Sequence, residues 1–399
     1  MKIRSAVFLL ASALSLTAAA PHPAALERLP DPARPGFARA VKVPDAPLVF
    51  TGLVHPSSPA ADARRQFDDV INQLGERLAA AGSDLERVVR LNFHVADDAA
   101  TQAVEAGLAA RFGRHPAAVT VQRSVLAMAG ARLAGDAVGA SSRAARTLEK
   151  VGDAMILPAG GKVFVSGQAK QGDTFAESVR LTMAGLHQAL EKVGATRADV
   201  VQVKAFIKPM AQHATARAEI ERSYAGGRVP PIVITEWLTG SDTEIELIAA
   251  GANRPARDPA DPIEFHWLPG MSVSPYFSRL STVAPGSPLL FLGCIDGGTG
   301  GTAREQWLRA FQQLAGVLRD TGSSFRHMAK ATYFLADPTA REYLAEIRSV
   351  VFDPARPPAA SGVDVQGLGW PGRSVGVDII AVPMKRAPAP PAGGAKQAK

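Results

Sequence analysis

Residues 67–95 read FDDVINQLGERLAAAGSDLERVVRLNFHV, and this stretch decides the fold. Phe67, Ile71, Leu74 and Leu78 recur at helical spacing, so they share one face of a helix. Gly82 stands where such a helix needs a left-handed residue to stop. A strand, Val89 to Val95, follows. The pattern occurs twice more without gaps. Back from Gly194 the apolar positions are Val179, Met183, Leu186 and Leu190; back from Gly322 they are Trp307, Phe311, Leu314 and Leu318. Forward, the copies meet again at Val88, Val200 and Met328 and run along Val89–Val95, Val201–Ile207 and Ala329–Leu335. Three copies over about thirty positions, spaced by a domain's length, define an internal repeat.

Working outward, each helix is preceded by a short apolar strand ending in glycine: Val49-Phe50-Thr51-Gly52, Phe164-Val165-Ser166-Gly167 and Phe291-Leu292-Gly293. A second helix is expected near Gln102–Phe112, Thr215–Tyr224 and Arg341–Phe352. Each is followed by proline (Pro116, Pro230-Pro231, Pro357-Pro358), a strand, and a closing strand carrying Asp136, Glu244 and Glu246, or Asp378. The expected domains are 36–141, 150–251 and 262–384. Polar or proline-rich linkers run from Ser141 to Lys150 and from Gly251 to Pro262. Residues 385–399, rich in Ala, Pro, Gly and Lys, read as a disordered tail.

Residues 1–20 read as a signal peptide: Lys2 and Arg4, an apolar run from Ala6 to Leu16, then small residues to Ala20. That run is short of the roughly 20 residues a membrane span needs. A periplasmic or secreted protein is therefore expected, with no membrane association once the leader is removed. Hydrophobic residues make up 47% and charged residues 20%, a globular composition. The net charge of +7 comes from scattered basic residues, with no aromatic-interleaved basic run, which speaks against nucleic acid as a partner. A lone cysteine, Cys294, excludes an internal disulfide and reads as a small buried hydrophobe. The eight histidines show no helical ligand spacing, so no metal site is expected, and no cofactor motif is present. Gly297-Gly298-Thr299-Gly300-Gly301 precedes Thr302-Ala303-Arg304-Glu305, which reads as a flexible turn into a capping box.

The order of elements resembles the RidA/YjgF family. The residues that carry the resemblance are Ser166-Gly167-Gln168, Ala80-Ala81-Gly82, Thr243-Glu244-Ile245-Glu246, the strand Ala329–Phe334 and Ser274-Pro275-Tyr276. It spans about residues 40–383. The resemblance implies an α+β fold of three tandem chorismate-mutase-like domains packed as an intrachain pseudo-trimer. A monomer with internal pseudo-three-fold symmetry follows, with small-molecule pockets in the clefts between domains. It further implies cofactor-free hydrolysis of enamines or imines to a carbonyl compound and ammonia. In the family an Arg after the Pro-Ala step grips the substrate carboxylate, and the Glu of the closing strand moves protons.

Carried over by position, the Arg falls on Ala118, Ile232 and Ala360, and is absent from all three copies. The Glu falls on Ala134, Glu244 and Gly376. Glu244 is therefore the candidate catalytic residue, and Ser166, Gly167, Ile232 and Tyr276 are the candidate ligand-binding residues. Arg123, Arg228 and Arg356 are candidate substitutes for the missing Arg, although Pro354-Ala355-Arg356 stands too far before its strand. The alternative is a non-catalytic binding or protective protein on the same fold.

Overall fold

Each apolar helix face read from the sequence lies on a sheet. A computed structural model describes residues 25–238, 240–258, 260–268 and 273–384. The expected leader and the expected tail lie outside the described residues.

The first repeat runs β1 (Glu27–Pro30), β2 (Phe37–Val43), β3 (Leu48–Thr51), α1 (Ala63–Ala80), β4 (Val88–Val95), α2 (Asp98–Phe112), β5 (Ala117–Arg123) and β6 (Leu133–Ala140). The second runs β7 (Glu149–Val151), β8 (Ala154–Leu157), β9 (Lys162–Gln168), α3 (Phe175–Glu191), β10 (Val200–Ile207), α4 (His213–Ser223), β11 (Ile232–Glu236) and β12 (Thr243–Ala250). The third runs β13 (Ile263–His266), β14 (Leu280–Val283), β15 (Leu289–Asp296), α5 (Ala303–Asp320), β16 (Met328–Leu335), α6 (Ala340–Val351), β17 (Ala359–Asp364), β18 (Gly367–Leu368) and β19 (Val375–Ala381). In each, the second helix is the crossover between two parallel strands, and both helices cover one face of the sheet.

The helix-face residues named above are all buried, from Phe67 to Leu318. Gly82, Gly194 and Gly322 take φ of +75°, +76° and +74°, the left-handed stop that the sequence requires. Thr302 and Glu305 form the expected capping box at the start of α5.

The strand pair that opens each repeat was not legible from the sequence, and it extends the sheet of another repeat, although β2 also pairs in parallel with β5 of its own repeat at Phe37 and Ala38. β8 joins β3 of repeat one, β14 joins β9 of repeat two, and β2 joins β15 of repeat three. Three six-stranded runs therefore share one order, β5-β4-β6-β3-β8-β7, β11-β10-β12-β9-β14-β13 and β17-β16-β19-β15-β2-β1, and the first and third are joined through β2 and β5 into one 13-stranded sheet. This cyclic exchange closes a ring. Lys150, taken as the end of a linker, accordingly sits in β7.

The helix-free sheet faces meet in a common core. Phe50, Phe164 and Phe291 occupy one register position, each opposite Val138, Ile248 or Ile380, and all six are buried together with Val89, Val201 and Ala329. Above this apolar layer lies a charged one. Arg90 of repeat one meets Asp378 of repeat three at 3.5 Å, and Lys330 of repeat three meets Glu246 of repeat two at 2.8 Å. Asp136 accepts from Asn92 at 2.8 Å. Buried pairs of this kind add little net stability, but a mismatch leaves a bare charge, so they fix which repeat sits beside which.

Candidate functional site

The shared register assigns equivalent positions directly. With Phe50, Phe164 and Phe291 aligned, Gly52 and Gly293 match Ser166, while Leu53 and Cys294 match Gly167. This corrects the glycine-on-glycine alignment made from the sequence. A bulge marks the place: β9 pairs Val165 with Leu247 and then Gln168 with Ile245, so Ser166 and Gly167 lie opposite Glu246 alone, as Gly293 and Cys294 lie opposite Asp378. The family's Arg position lies opposite Leu91, Val203 and Ala331, and is Val119, Ile232 and Ala360. In repeat one it is therefore Val119 rather than Ala118, and still apolar.

Glu244 stands at the edge of the cleft between repeats two and three. A β-carbon on Gly167 would lie 2.0 Å from Glu244 Oε1, so only glycine leaves space for this carboxylate. Across the cleft is β17 of repeat three. Its Ser361 hydroxyl accepts from Gly167 N at 3.1 Å and donates to Glu246 Oε2 at 2.5 Å. Burial, reinforced by the nearby Glu246 carboxylate and opposed by Arg341, pushes the Glu244 carboxyl up to about 8. Near neutral pH it is thus largely an acid holding its proton.

The remaining sequence-derived candidates divide. Ser166 is engaged at both ends: it accepts from Ala360 N at 2.7 Å and donates to Ser278 O at 2.5 Å, clamping repeat two to repeat three. Ile232 does not share the Glu244 cleft. It lies on β11 against repeat one, where its carbonyl accepts from Leu53 N at 3.2 Å and sits under Gly52. The residue that faces Glu244's cleft from the Arg position is Ala360. Tyr276, on the loop before β14, stacks under Arg348, whose guanidinium is 5.1 Å from its ring and 5.0 Å from that of Tyr333.

Three arginines raised from sequence as substitutes are otherwise occupied. Arg123 pairs with Asp98, Arg228 donates to Leu148 O, and Arg356 pairs with Asp261 while stacking on Phe265. The sequence reading missed two others, both on α6. Arg341 reaches over Gly362, where a β-carbon would be 3.1 Å from its Nη1, and pairs with Asp364. Arg348, seven residues on, is largely buried; desolvation lowers its pKa, and its Nε has no hydrogen-bond partner among the described residues. Their spacing of seven on one helix was the available signal, but nothing in the sequence ties α6 to a cleft shared with another repeat.

The other two clefts have lost this chemistry. Where repeat one carries Ala134, the neighbouring strand position is His94, replacing Phe206 and Phe334 of the sister repeats. His94 is buried, with its Nδ1 2.9 Å from Gln122 Nε2 and 3.0 Å from Thr235 Oγ1. In repeat three, Gly376 packs against Cys294 and Leu368. Burial pushes the Cys294 thiol well up, away from thiolate reactivity. Among the described residues no group of three or more His, Cys, Asp or Glu could hold a metal, and no helix is long and apolar enough to cross a membrane.

A family model described as Endoribonuclease L-PSP matches residues 149–251 and 295–383. No curated protein matches. Among solved structures, a YjgF-family protein from Neisseria meningitidis is 23% identical, covering 32% of this chain and 98% of its own, with a TM-score of 0.24. The YjgF product of E. coli is 23% identical, covering 24% and 84%, with a TM-score of 0.22. A putative endoribonuclease from Thermotoga maritima is 21% identical, covering 34% and 100%, with a TM-score of 0.23. The two matched segments fall on the second and third of three structurally equivalent repeats, and the chain belongs to the RidA/YjgF family, with the family's domain present three times in one polypeptide.

Proposed function

We propose that the cleft between repeats two and three is a cofactor-free hydrolase site for reactive enamines or imines. The observation that carries this reading is Glu244, a carboxyl raised to about 8 and wedged against Gly167 at a domain boundary. Such a group donates and recovers a proton at neutral pH. Its acid form protonates an enamine carbon or an imine nitrogen. Its carboxylate then takes a proton from the water that adds to the C=N carbon. The proton returns to nitrogen, and as the C–N bond breaks the carbinol O–H gives its proton to the carboxylate, releasing ammonia and a carbonyl compound and restoring the acid.

Ala360 offers no grip for a carboxylate, so the preferred substrate is an imine without one. Imino acids of the 2-aminoacrylate type, deprived of an orienting contact, turn over slowly. The assay is amine release from freshly generated imines with and without a carboxylate. Turnover of the neutral imine that disappears in Glu244→Gln supports the reading; equal turnover in that variant overturns it. The residues at the Arg position, Val119, Ile232 and Ala360, favour the second reading, a binding or protective protein, which gains if no imine is hydrolysed. Export to the periplasm, suggested by Lys2, Arg4 and the apolar run to Leu16, belongs to the same proposal. Intact Met1 in cytoplasmic protein from the native host would refute it.

A further inference from the structure

The closing strands leave their sheets at one register position: Gly139, Ala249 and Ala381 lie opposite Val88, Val200 and Met328. In repeats one and three the chain then crosses the end of the first helix. Three residues past that position, Ser142 N donates to Gly82 O at 2.7 Å and Met384 N donates to Gly322 O at 2.7 Å. In repeat two the equivalent pair is Ala252 and Gly194, and among the described residues it makes no such bond. The chain is drawn the other way. Gly251 N donates to Gly161 O at 2.8 Å, and Gly161 N donates to Asn253 Oδ1 at 2.8 Å. Glycine at both positions permits this approach: a β-carbon on Gly161 would lie 2.4 Å from Ala252 O, and one on Gly251 would lie 3.0 Å from Lys162 N. The equivalents of Gly251 in the sister repeats are Ser141 and Pro383.

Between the end of α3 and the displaced chain opens a cavity of about 590 Å³, bounded on its third side by β13 and β14. It meets β9 at Lys162, whereas Gly167, which holds Glu244, stands near the other end of that strand, about 17 Å away. The size falls in the range of small-molecule pockets. Its lining is polar and positive. Lys162 is already matched, with its Nζ 2.6 Å from Asp45 Oδ1, and Arg257 pairs with Glu264, the one carboxylate of the lining, at 3.4 Å. Lys192 and Arg254 pair with no acid among the described residues, and both are exposed. Thr282 adds a hydroxyl, 2.9 Å from His266 Nε2. Two unmatched cations on one concave surface concentrate positive potential where a ligand with two negative charges would sit.

We propose that this cavity binds a small anion carrying two or more negative charges on phosphate or carboxylate groups, held by Lys192 and Arg254. A monoanion engages only one of the two. The site arises in repeat two alone, from the pair Gly161 and Gly251, and is separate from the Glu244 cleft.

Isothermal titration of the full chain at fixed ionic strength with pyrophosphate, citrate and acetate tests this. Saturable one-to-one binding of pyrophosphate, citrate or both is expected, with acetate far weaker, and whichever polyanion binds identifies the charged group. Lys192→Gln combined with Arg254→Gln should weaken binding by about tenfold or more, the scale of one lost charge-assisted hydrogen bond. Arg65→Gln, on an exposed arginine of α1, should leave it unaltered, as should Glu244→Gln. Failure of both polyanions to saturate, acetate binding as tightly, or undiminished binding in the double variant overturns the proposal. So does an equal loss in Arg65→Gln or Glu244→Gln. The acetate comparison needs no variant, so it stands even if a substitution unfolds the chain.

Discussion

A β-carbon added to Gly376 would stand 2.6 Å from the sulfur of Cys294. The equivalent positions in repeat two are Glu244 and Gly167, with the large and small residues reversed. In repeat one they are Ala134 and Leu53. At each of the three places one partner is small so that the other fits, and the volumes trade across two neighbouring strands. Only where glycine occupies the first strand is there space for a carboxylate on the second. Close packing leaves no third option.

This trade predicts the outcome of Gly167→Ala. The added methyl would meet Glu244 Oε1 at 2.0 Å, so the carboxyl must turn away. Glu244 is partly exposed and can move, so the fold should survive with a change in stability of about 1–3 kcal/mol, typical of overpacking. Imine turnover should fall about a hundredfold, the range in which general acid–base catalysis contributes. Amine-release kinetics and thermal melts of the same preparation separate the two effects. Unchanged turnover in a folded variant would remove Glu244 from the reaction.

The strand facing Glu244 predicts a gain. Ala360→Arg places a guanidinium at the family's position opposite Glu244, whereas Ile232→Arg places one against repeat one, where Ala134 has no acid. Hydrolysis of 2-aminoacrylate should rise in the first variant and not in the second. A rise in Ile232→Arg alone would contradict the assignment of clefts.

The pH dependence of turnover follows from the raised Glu244 carboxyl. The acid form dominates below about 8, so the rate should hold near neutrality and decline as pH passes through that value. Stability has the same sign. A carboxyl whose folded pKa is raised favours the folded state below its ordinary value near 4.5, and this contribution is lost as pH rises to about 8. The rate profile of the unaltered protein checks the first, and Glu244→Gln, which should have no turnover, should also lose this change in urea midpoint.

Neutral histidines, buried (His94) or half-buried (His55 and His187), act in the opposite direction. Desolvation lowers His55 and His187 to about 4, and lowers His94 well below 6.5. Their unfolded forms take up protons near 6.5 while the folded forms resist, so stability is full above that value and erodes as pH falls toward 4. His94→Phe installs the side chain found at this position in the other two repeats. It should flatten the acid side of a plot of urea midpoint against pH, and an unaltered slope would exclude His94 as a contributor.

The repeat, the six helices and the buried helix faces were legible because they rest on local periodicity. Helical spacing plus a left-handed glycine states its own answer, as Phe67 to Gly82 shows. The strand pairs opening each repeat were not legible, since β7 and β13 are short and β8 pairs with a strand more than a hundred residues earlier. The error at Ala118 had a similar origin: proline marks the approach to a strand, whereas only the ladder opposite Leu91 sets the register. Glu244 was identified by type and position. Its true neighbours, Ser361, Arg341 and Ala360, come from a different repeat, and no local pattern announces a contact that depends on how three domains dock.

The pairing of β2 with β15 has a consequence for biosynthesis. Phe37–Val43 is made early, but its partner, Leu289–Asp296, follows about 250 residues later. At about 5–20 residues per second, the first hairpin waits many seconds for the strand it completes. Repeats one and two can pair through β8 and β3 during that time, so the oldest strand is the last to close the ring. Until then β2 is paired only with β1 and, at Phe37 and Ala38, with β5, so most of one edge is open at the beginning of the polypeptide, and on completion of β15 there is an open edge near its end. Two nascent chains held side by side could join head to tail through these ends, in place of each closing on itself. The seam between β2 and β15 can therefore form only in the last third of synthesis.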